Sequence, residues 1–355
     1  MAGSSLGKDF RIMTFGESHG KALGVVIDGV KPGLKISLKD IQKELDRRKP
    51  GQSKLVTQRK EDDKVEILSG VFEGKTTGTP ICLVIWNKDQ DSSKYDKLKG
   101  VFRPGHADLG FYKKFGIRDH RGGGRSSGRE TAARVASGAI AKKILAKNKI
   151  KVVGYVTQIG KIMVDEVDLD EIEKNDVRCA DKGKVKKMEK EILDVKKKGD
   201  SIGGVVEVVA FNVPAGIGDP VFDKLDADIA KALMSIGAVK GVEIGAGFDA
   251  ASMKGSQDND EFVMKGKKIV TKSNNSGGIL GGVSNGIPII ARIAVKPTAS
   301  ISKEQRTVSV SGKPKRIKIE GRHDPCICPR IVPVAETMMA LVLVDHLERQ
   351  KRLKR

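Results

Sequence analysis

Alternating or continuous apolar residues predict seven β-strands along this chain of 355 residues. Between them, apolar positions recur at helical spacing and predict four helices. The predicted strands cover residues 24–30, 65–71, 81–86, 152–159, 205–213, 289–295 and 316–320. The predicted helices cover residues 37–48, 130–147, 222–234 and 334–349.

The helix predicted at residues 130–147 is rich in small side chains. Alanine and glycine there let a second helix or a sheet approach closely, so we expect a central element. Residues 167–198 are charged and helical in character, which indicates an exposed excursion at about 165–200. No boundary stands out, so we expect a single domain over residues 1–355 that ends in a basic tail at 347–355.

The formal net charge of +21 is the strongest compositional signal, and it has two interpretations. The partner is either a polyanion such as a nucleic acid or a small, highly charged anion. Lysines crowd residues 182–198 and the tail, whereas arginines concentrate in segments rich in glycine or flanked by proline. This distribution favours a site for small anions. Aromatic residues, at 4%, are too scarce for the stacking surfaces of a single-strand nucleic-acid binder.

The four cysteines, Cys82, Cys179, Cys326 and Cys328, lack the spacing of a disulfide framework, a redox pair or a zinc site. The histidines likewise lack the spacing of a metal site. The N-terminus has no secretory pattern, and no apolar run reaches about 18 residues. We therefore expect a cytoplasmic protein that does not span a membrane.

Residues 118–130 combine four arginines, three consecutive glycines and a helix start. The glycines let backbone N–H groups turn towards a ligand, and Ser127 with Glu130 predicts a capping box before the next helix. Arg121, Arg125 and Arg129 add donors that match phosphate or carboxylate oxygens. A surface turn with solvated charges would explain this spacing less well, so the segment predicts an anion site.

Two histidines stand in glycine-containing turns, in Gly16-Glu-Ser-His19-Gly and in Arg103-Pro-Gly-His106. Such turns offer a histidine little packing, which favours a general acid or base role over a structural one. A third segment, Gly321-Arg-His-Asp324-Pro, follows a predicted strand. Asp324 could be a base, although these residues alone favour a salt-bridged turn before the proline.

Taken together and in this order, these segments resemble the chorismate synthase family, and the resemblance runs from Phe10 to about Arg349. It rests on Gly16-Glu-Ser-His-Gly20, Asp46-Arg-Arg with Pro50-Gly-Gln-Ser53, Arg103-Pro-Gly-His-Ala-Asp108, residues 122–130, Lys296-Pro-Thr298 and Gly321-Arg-His-Asp-Pro-Cys326.

The resemblance implies an α+β fold, a β-α-β sandwich with a helical core between two antiparallel sheets, assembled as a homotetramer. It also implies a reaction: phosphate and a ring hydrogen leave 5-enolpyruvylshikimate 3-phosphate to give chorismate. The family uses reduced FMN for this step, although the reaction is redox-neutral overall. The substrate carries a phosphate and two carboxylates, so a site dense in arginine fits its charge.

The resemblance assigns catalytic roles to two histidines. His106 would protonate or hydrogen-bond the departing phosphate, and His19 would protonate or stabilise the reduced flavin anion, with Ser18 beside it. Asp324 would receive the flavin proton, directly or through Ser127. The substrate-binding residues implied are Arg48, Lys54, Arg103, Arg129 and Arg322. The FMN-binding residues implied are Arg125, Ser126, Ser127, Ala238, Gly281, Lys296, Pro297, Thr298, Ala299, Ser300 and Arg322.

Three positions depart from the family pattern. Lys54 stands where some relatives have arginine, Gly237 replaces an asparagine and Ala299 replaces a serine. The last two changes each delete a polar side chain from the implied flavin site.

Two alternative functions also stay open. One is a basic nucleic-acid-binding protein. The other is a bifunctional enzyme that reduces its own flavin with NADPH rather than depending on a separate flavin reductase.

Overall fold

The structure is a computed structural model that describes residues 3–57, 61–88, 98–319 and 323–353. Within these ranges, two five-stranded antiparallel sheets account for most of the strands. The first sheet has the order β1-β2-β3-β7-β4, with β1 Ser5–Leu6, β2 Arg11–Gly16, β3 Ala22–Asp28, β4 Val65–Ile67 and β7 Ile81–Trp86. The second has the order β11-β16-β10-β8-β9, with β8 Lys151–Ile159, β9 Ile162–Met163, β10 Gly204–Phe211, β11 Val239–Ile244 and β16 Ile289–Val295.

The remaining strands form two-stranded pairs outside these sheets. They are β5 Val71–Phe72 with β6 Lys75–Thr76, β12 Phe262–Lys265 with β13 Lys268–Thr271, β14 Ile279–Leu280 with β15 Val283–Ser284, and β17 Glu304–Val308 with β18 Pro314–Lys318. The α-helices are α1 Leu38–Arg48, α2 Asp108–Phe115, α3 Thr131–Lys147, α4 Lys182–Lys197, α5 Leu225–Met234, α6 Gly255–Asp258 and α7 Cys328–Leu353.

Helices α3 and α7 form the middle layer of the molecule. Helix α3 contacts β2, β3 and β7 of the first sheet, α7 contacts β8 and β10 of the second, and the two helices pack against each other. Small residues make this possible, because a Cβ built on Gly138 of α3 would lie 2.3 Å from Cγ2 of Thr337 on α7. The β-α-β sandwich and the central position of the small-residue helix are both confirmed.

The inner faces of both sheets follow the period of two that predicted their strands. In β3, Leu23, Val25 and Ile27 are completely buried, and β16 buries Ile289 and Ile293 in the same way. One continuous apolar core joins these faces to α3 and α7. The charged segment at 165–200 also contributes to it, since α4 buries Met188 and Ile192.

The last helix begins six residues before its predicted start, so Pro333 lies inside it. A proline at this position has no N–H to donate to the carbonyl of Pro329, four residues earlier. That carbonyl instead accepts a hydrogen bond from the Arg178 guanidinium. An outside partner therefore replaces the missing helical bond, which is why the proline does not end the helix.

The capping box predicted from Ser127 and Glu130 is wrong. Ser127 Oγ accepts from the backbone N–H of Arg129, 3.2 Å away, in a short 3₁₀ helix, Gly128–Glu130. The Glu130 carboxylate does not reach back to Ser127, because it accepts from Thr14 Oγ1 at 2.9 Å and from Arg134 Nε at 2.7 Å. These contacts tie the start of α3 to the first sheet.

Candidate active site

A cavity of about 590 Å³ lies where turns from both sheets and the starts of α3 and α7 meet. Its size is typical of small-molecule sites. Most of the candidate residues line it, although they come from distant parts of the chain. They are His19, Arg48, Arg103, His106, Ser126, Ser127, Arg129, Ala238, Lys296, Pro297, Thr298, Ala299, Ser300 and Asp324.

His19 lies in the turn between β2 and β3 and is 9% exposed. Its Nδ1 is 3.0 Å from Oγ of Ser18, which is itself buried behind the cavity wall. Asn87, just after β7, donates to the carbonyls of Glu17 at 3.1 Å and Gly20 at 2.8 Å. The turn that carries His19 is therefore fixed from two sides.

His106 lies in the turn before α2, where Asp108 organises the cationic side chains. The carboxylate of Asp108 accepts from Arg103 Nη2 at 2.7 Å and forms an ion pair with Arg118 Nη1 at 2.7 Å. It also lies 3.1 Å from His106 Nδ1. Burial alone would raise the pKa of Asp108, but Arg103 and His106 outweigh it and hold that pKa far below its usual range.

Arg48 and Arg129 stand side by side at the cavity wall, with the buried carboxylate of Asp63 between them. Burial lowers the pKa of Arg48 to about 10, against the opposing effect of Asp63. Burial alone would raise the pKa of Asp63, but the two arginines lower it. Glu61 also lines the cavity, with its carboxylate 3.5 Å from Arg129 Nη2.

Asp324 lies just before α7 with both carboxylate oxygens engaged. Oδ1 accepts from the backbone N–H of Thr57 at 2.8 Å, and Oδ2 accepts from Arg330 Nη1 at 2.5 Å. Asp324 is thus salt-bridged to Arg330 on α7, whereas the arginine of its own segment, Arg322, lies outside the described residues; Asp324 also lines the cavity. The neighbouring His323 also lines the cavity, and burial lowers its pKa.

Two loops form the rest of the wall. Ser126 Oγ donates to the carbonyl of Gly123 at 2.7 Å, which closes a tight turn within residues 123–127. Lys296 Nζ donates to the carbonyl of Gly105 at 2.7 Å, and this bond ties the 296–300 loop to the turn of His106. Ala238 has left-handed backbone, with φ of 75°, and its carbonyl accepts from Lys296 N–H at 2.9 Å.

Some candidate residues are not part of the cavity wall. Arg125 points into the first sheet, where it donates to Thr14 Oγ1 at 2.7 Å and to the carbonyl of Gly16 at 3.2 Å. Lys54 is exposed beside α4, and Gly281 is exposed in the turn between β14 and β15. Ser18 reaches the cavity only through His19. Arg322 lies outside the described residues.

Sequence reasoning missed several residues of the cavity wall. They are Thr57, Glu61, Lys240 and Arg330, and His323, for which no role was predicted, lines the cavity too. Arg330 is the partner of Asp324, and its position two residues into α7 could have been found only from the true start of that helix. Glu61 precedes β4 in a segment without a recognisable pattern.

Comparison with known proteins identifies the family. A family model described as chorismate synthase matches residues 10–347. The chain belongs to the chorismate synthase family. The chorismate synthase of Methanococcoides burtonii is 60% identical over 98% of this chain and 97% of its own length. That of Pelagibacter ubique is 56% identical over 98% of both chains.

A crystal structure of a chorismate synthase gives the same result for the fold. It is 36% identical and superposes with a TM-score of 0.78 over 97% of this chain and 93% of its own. As a chorismate synthase, the chain is an enzyme of the lyase class. The comparisons do not favour a nucleic-acid-binding protein. In the described residues, no helix is long and apolar enough to cross a membrane.

Proposed function

We propose that this enzyme converts 5-enolpyruvylshikimate 3-phosphate into chorismate by anti-1,4-elimination of phosphate and a ring hydrogen, with reduced FMN and no net redox change. One observation carries the proposal: His19, His106 and Asp324 come from three distant segments and line a single cavity. Two imidazoles and a carboxylate around one cavity provide the groups that a proton-coupled elimination needs.

The charge of the cavity fits the proposed substrate. Arg48, Arg103, Arg129 and Lys296 all line it. Guanidinium groups bind phosphate and carboxylate oxygens through paired N–H donors, and the substrate has one phosphate and two carboxylates. Neutralising the phosphate as it leaves is the main electrostatic demand of the reaction.

The donors around the cavity also fit FMN. Thr298 Oγ1 is buried and has no hydrogen-bond partner among the described residues. Buried polar atoms of this kind lose free energy unless a ligand or water completes them. Ser126, Ser127, Ala238 and residues 296–300 would hold FMN, with Arg125, Gly281 and Arg322 as further proposed contacts. When bound, reduced FMN supplies a transient electron to the substrate and takes up the ring hydrogen.

Each residue then has a definite task. His106 protonates or hydrogen-bonds the departing phosphate, and Arg103 beside it supplies positive charge. His19, with Ser18 Oγ beside its Nδ1, would protonate or stabilise the reduced flavin anion. Asp324 receives a proton directly or through Ser127. Each oxygen of Asp324 accepts one hydrogen bond, from Thr57 or from Arg330, and each keeps a lone pair that can take the proton.

We further propose that the enzyme works in the cytoplasm as a homotetramer. Lys54 would assist substrate binding from the edge of the site. Reduced FMN comes either from a separate flavin reductase or from NADPH used by the enzyme itself. Chorismate formation in air, from enzyme and substrate supplied only with FMN and NADPH, would show that the enzyme reduces its own flavin.

The direct test is an anaerobic incubation of the purified protein with chemically reduced FMN and 5-enolpyruvylshikimate 3-phosphate. Chorismate absorbance and released phosphate are followed together. We expect equal amounts of chorismate and phosphate, and no product when oxidised FMN replaces the reduced form. Phosphate release without chorismate, or no reaction with reduced FMN, would refute the proposal.

A further inference from the structure

All three guanidinium nitrogens of Arg48 donate to groups of the protein. Its Nε donates to Thr131 Oγ1 at 3.1 Å, its Nη1 donates to Asp63 Oδ2 at 2.9 Å, and its Nη2 donates to the carbonyl of Gly128. The side chain is 3% exposed. Each guanidinium nitrogen of Arg48 is therefore held by the protein, which fixes its positive charge at the cavity wall.

Arg129 differs in this respect. Its Nε donates to Asn87 Oδ1 at 2.9 Å, and its Nη1 donates to Asp63 Oδ1. Its Nη2 is buried without a hydrogen bond in the part of the chain that the structure describes, although the Glu61 carboxylate lies 3.5 Å away. This is the edge of the guanidinium that a ligand oxygen could complete.

Asp63 connects the two arginines. Its carboxylate is completely buried, and each of its oxygens accepts from one guanidinium. Its backbone is left-handed, with φ of 49°, and its carbonyl accepts from Gln42 Nε2 of α1 at 3.3 Å. Two buried guanidinium groups placed side by side repel each other, and a carboxylate between them offsets that repulsion.

We infer that Asp63 is a positioning residue for substrate. It holds Arg48 and Arg129 together so that Arg129 Nη2, which has no hydrogen bond among the described residues, meets an anionic group in the cavity. This rests on the proposed function, with the phosphate or a carboxylate of the enolpyruvyl substrate as the anion. Asp63 itself is enclosed by the arginines and does not touch the ligand. Its effect on binding is transmitted through Arg129.

The test compares Asp63→Asn, which keeps the shape and removes the charge, with the wild-type enzyme. We expect a KM for 5-enolpyruvylshikimate 3-phosphate about tenfold higher or more, with FMN affinity within about twofold of wild type. In a protein that already carries Arg129→Lys, adding Asp63→Asn should raise KM much less. The contact between the Arg129 guanidinium and the substrate anion is already lost in that protein. An unchanged KM in Asp63→Asn would overturn the inference.

Asp345→Asn is the matched control for loss of stability. Asp345 is buried and accepts from the backbone N–H groups of Lys8, Asp9 and Phe10, away from the cavity wall. It should lower the thermal midpoint and leave KM unchanged. If Asp63→Asn behaves in the same way, its role is only structural and the inference is wrong.

Two further measurements separate a failure of the inference from misfolding of Asp63→Asn and from a failure of the proposed function. If Asp63→Asn does not fold, Asp63→Glu keeps the charge and displaces the carboxylate by one methylene, and an unchanged KM in that variant would overturn the inference. Calorimetric titration with inorganic phosphate tests the anion site without turnover. If wild type makes no chorismate, the proposed function fails, while phosphate binding that weakens about tenfold in Asp63→Asn would still support the positioning role.

Discussion

The position of Asp108 determines which ring nitrogen of His106 carries the proton. The Asp108 Oδ1 atom lies 3.1 Å from His106 Nδ1. Arg103 Nη2 lies 3.2 Å from the same nitrogen, but its two hydrogens already point to Asp108 Oδ1 and the carbonyl of Gly122. We therefore assign the Nδ1 proton to His106 as the donor to Asp108, which leaves Nε2 to exchange a proton with a ligand.

Replacing Asp108 by asparagine should slow turnover. The variant loses the negative charge that orients the imidazole and leaves Arg103 and Arg118 without their common partner. We expect kcat to fall about 100-fold or more, as is typical when a general acid is misoriented. The control is Asp119→Asn, because Asp119 pairs with Arg121 on an exposed turn. A kcat for Asp108→Asn equal to that of the control would contradict this assignment.

The absence of a side chain at Gly122 leaves room for the imidazole ring of His19. A Cβ built there would lie 2.3 Å from His19 Nδ1, so Gly122→Ala must displace the imidazole. We expect kcat to fall about tenfold or more while the fold persists. Gly124→Ala separates this effect from backbone strain, since Gly124 also has positive φ but its Cβ would meet no atom within 4 Å. Equal kcat values for the two variants would show that the contact with His19 is unimportant.

The close approach of α3 and α7 predicts a stability effect far from the chemistry. Gly138→Ala places a Cβ against Thr337 and should lower the free energy of unfolding by about 1–3 kcal/mol. Gly110→Ala, in α2 where a Cβ meets open space, should instead raise it by about 0.5–1 kcal/mol. Urea denaturation measures both. A neutral Gly138→Ala would mean that the helices pack less tightly than described.

Glu336 should make the free energy of unfolding depend on pH in the acidic range. Burial alone would raise its pKa, but Lys142 and Arg47 outweigh it and lower that pKa to about 2, from an unfolded value of 4.5. A depressed folded pKa stabilises the protein above pH 4.5, and this contribution is lost as the pH falls from 4.5 towards 2.

Glu336→Gln should therefore lower the free energy of unfolding at neutral pH by about 3 kcal/mol, because Arg47 and Lys142 lose their buried partner and keep only the more exposed Glu44 and, for Arg47, Glu173. The difference from wild type should shrink as the pH falls below 4.5. Unfolding curves at several pH values test this, with the exposed Glu66→Gln as control. A difference that stays constant down to pH 2 would contradict the electrostatic explanation.

The sequence pattern was sufficient where local chemistry decides the structure. Strands β7 and β16 have their predicted bounds, because β7 is a continuous apolar run and β16 alternates between buried and more exposed positions. Helix α1 ends at its predicted residue, since Lys49 and Pro50 leave the helical conformation. The Ser127–Glu130 box failed because Thr14 and Arg134 compete for the Glu130 carboxylate. That competition depends on tertiary contacts that no local pattern reveals.

In the candidate site, too, local patterns predicted some residues, whereas residues that act through tertiary contacts were missed. Glycine turns and arginines pointed to His19 and His106, and the resemblance added the role of Asp324, which remains a prediction. Asp63 was not found, because its importance lies in contacts with Arg48 and Arg129, the latter 66 residues away in the chain. Such long-range pairing of buried charges leaves no signal at either position alone.

A crystal structure of the enzyme with FMN and 5-enolpyruvylshikimate 3-phosphate bound together would test the proposed site most directly. We expect both ligands in the one cavity, stacked on each other between His19, His106 and Asp324, with the phosphate of the substrate near His106 and the arginines. Ligands bound in separate places, or a cavity that holds only one of them, would contradict it.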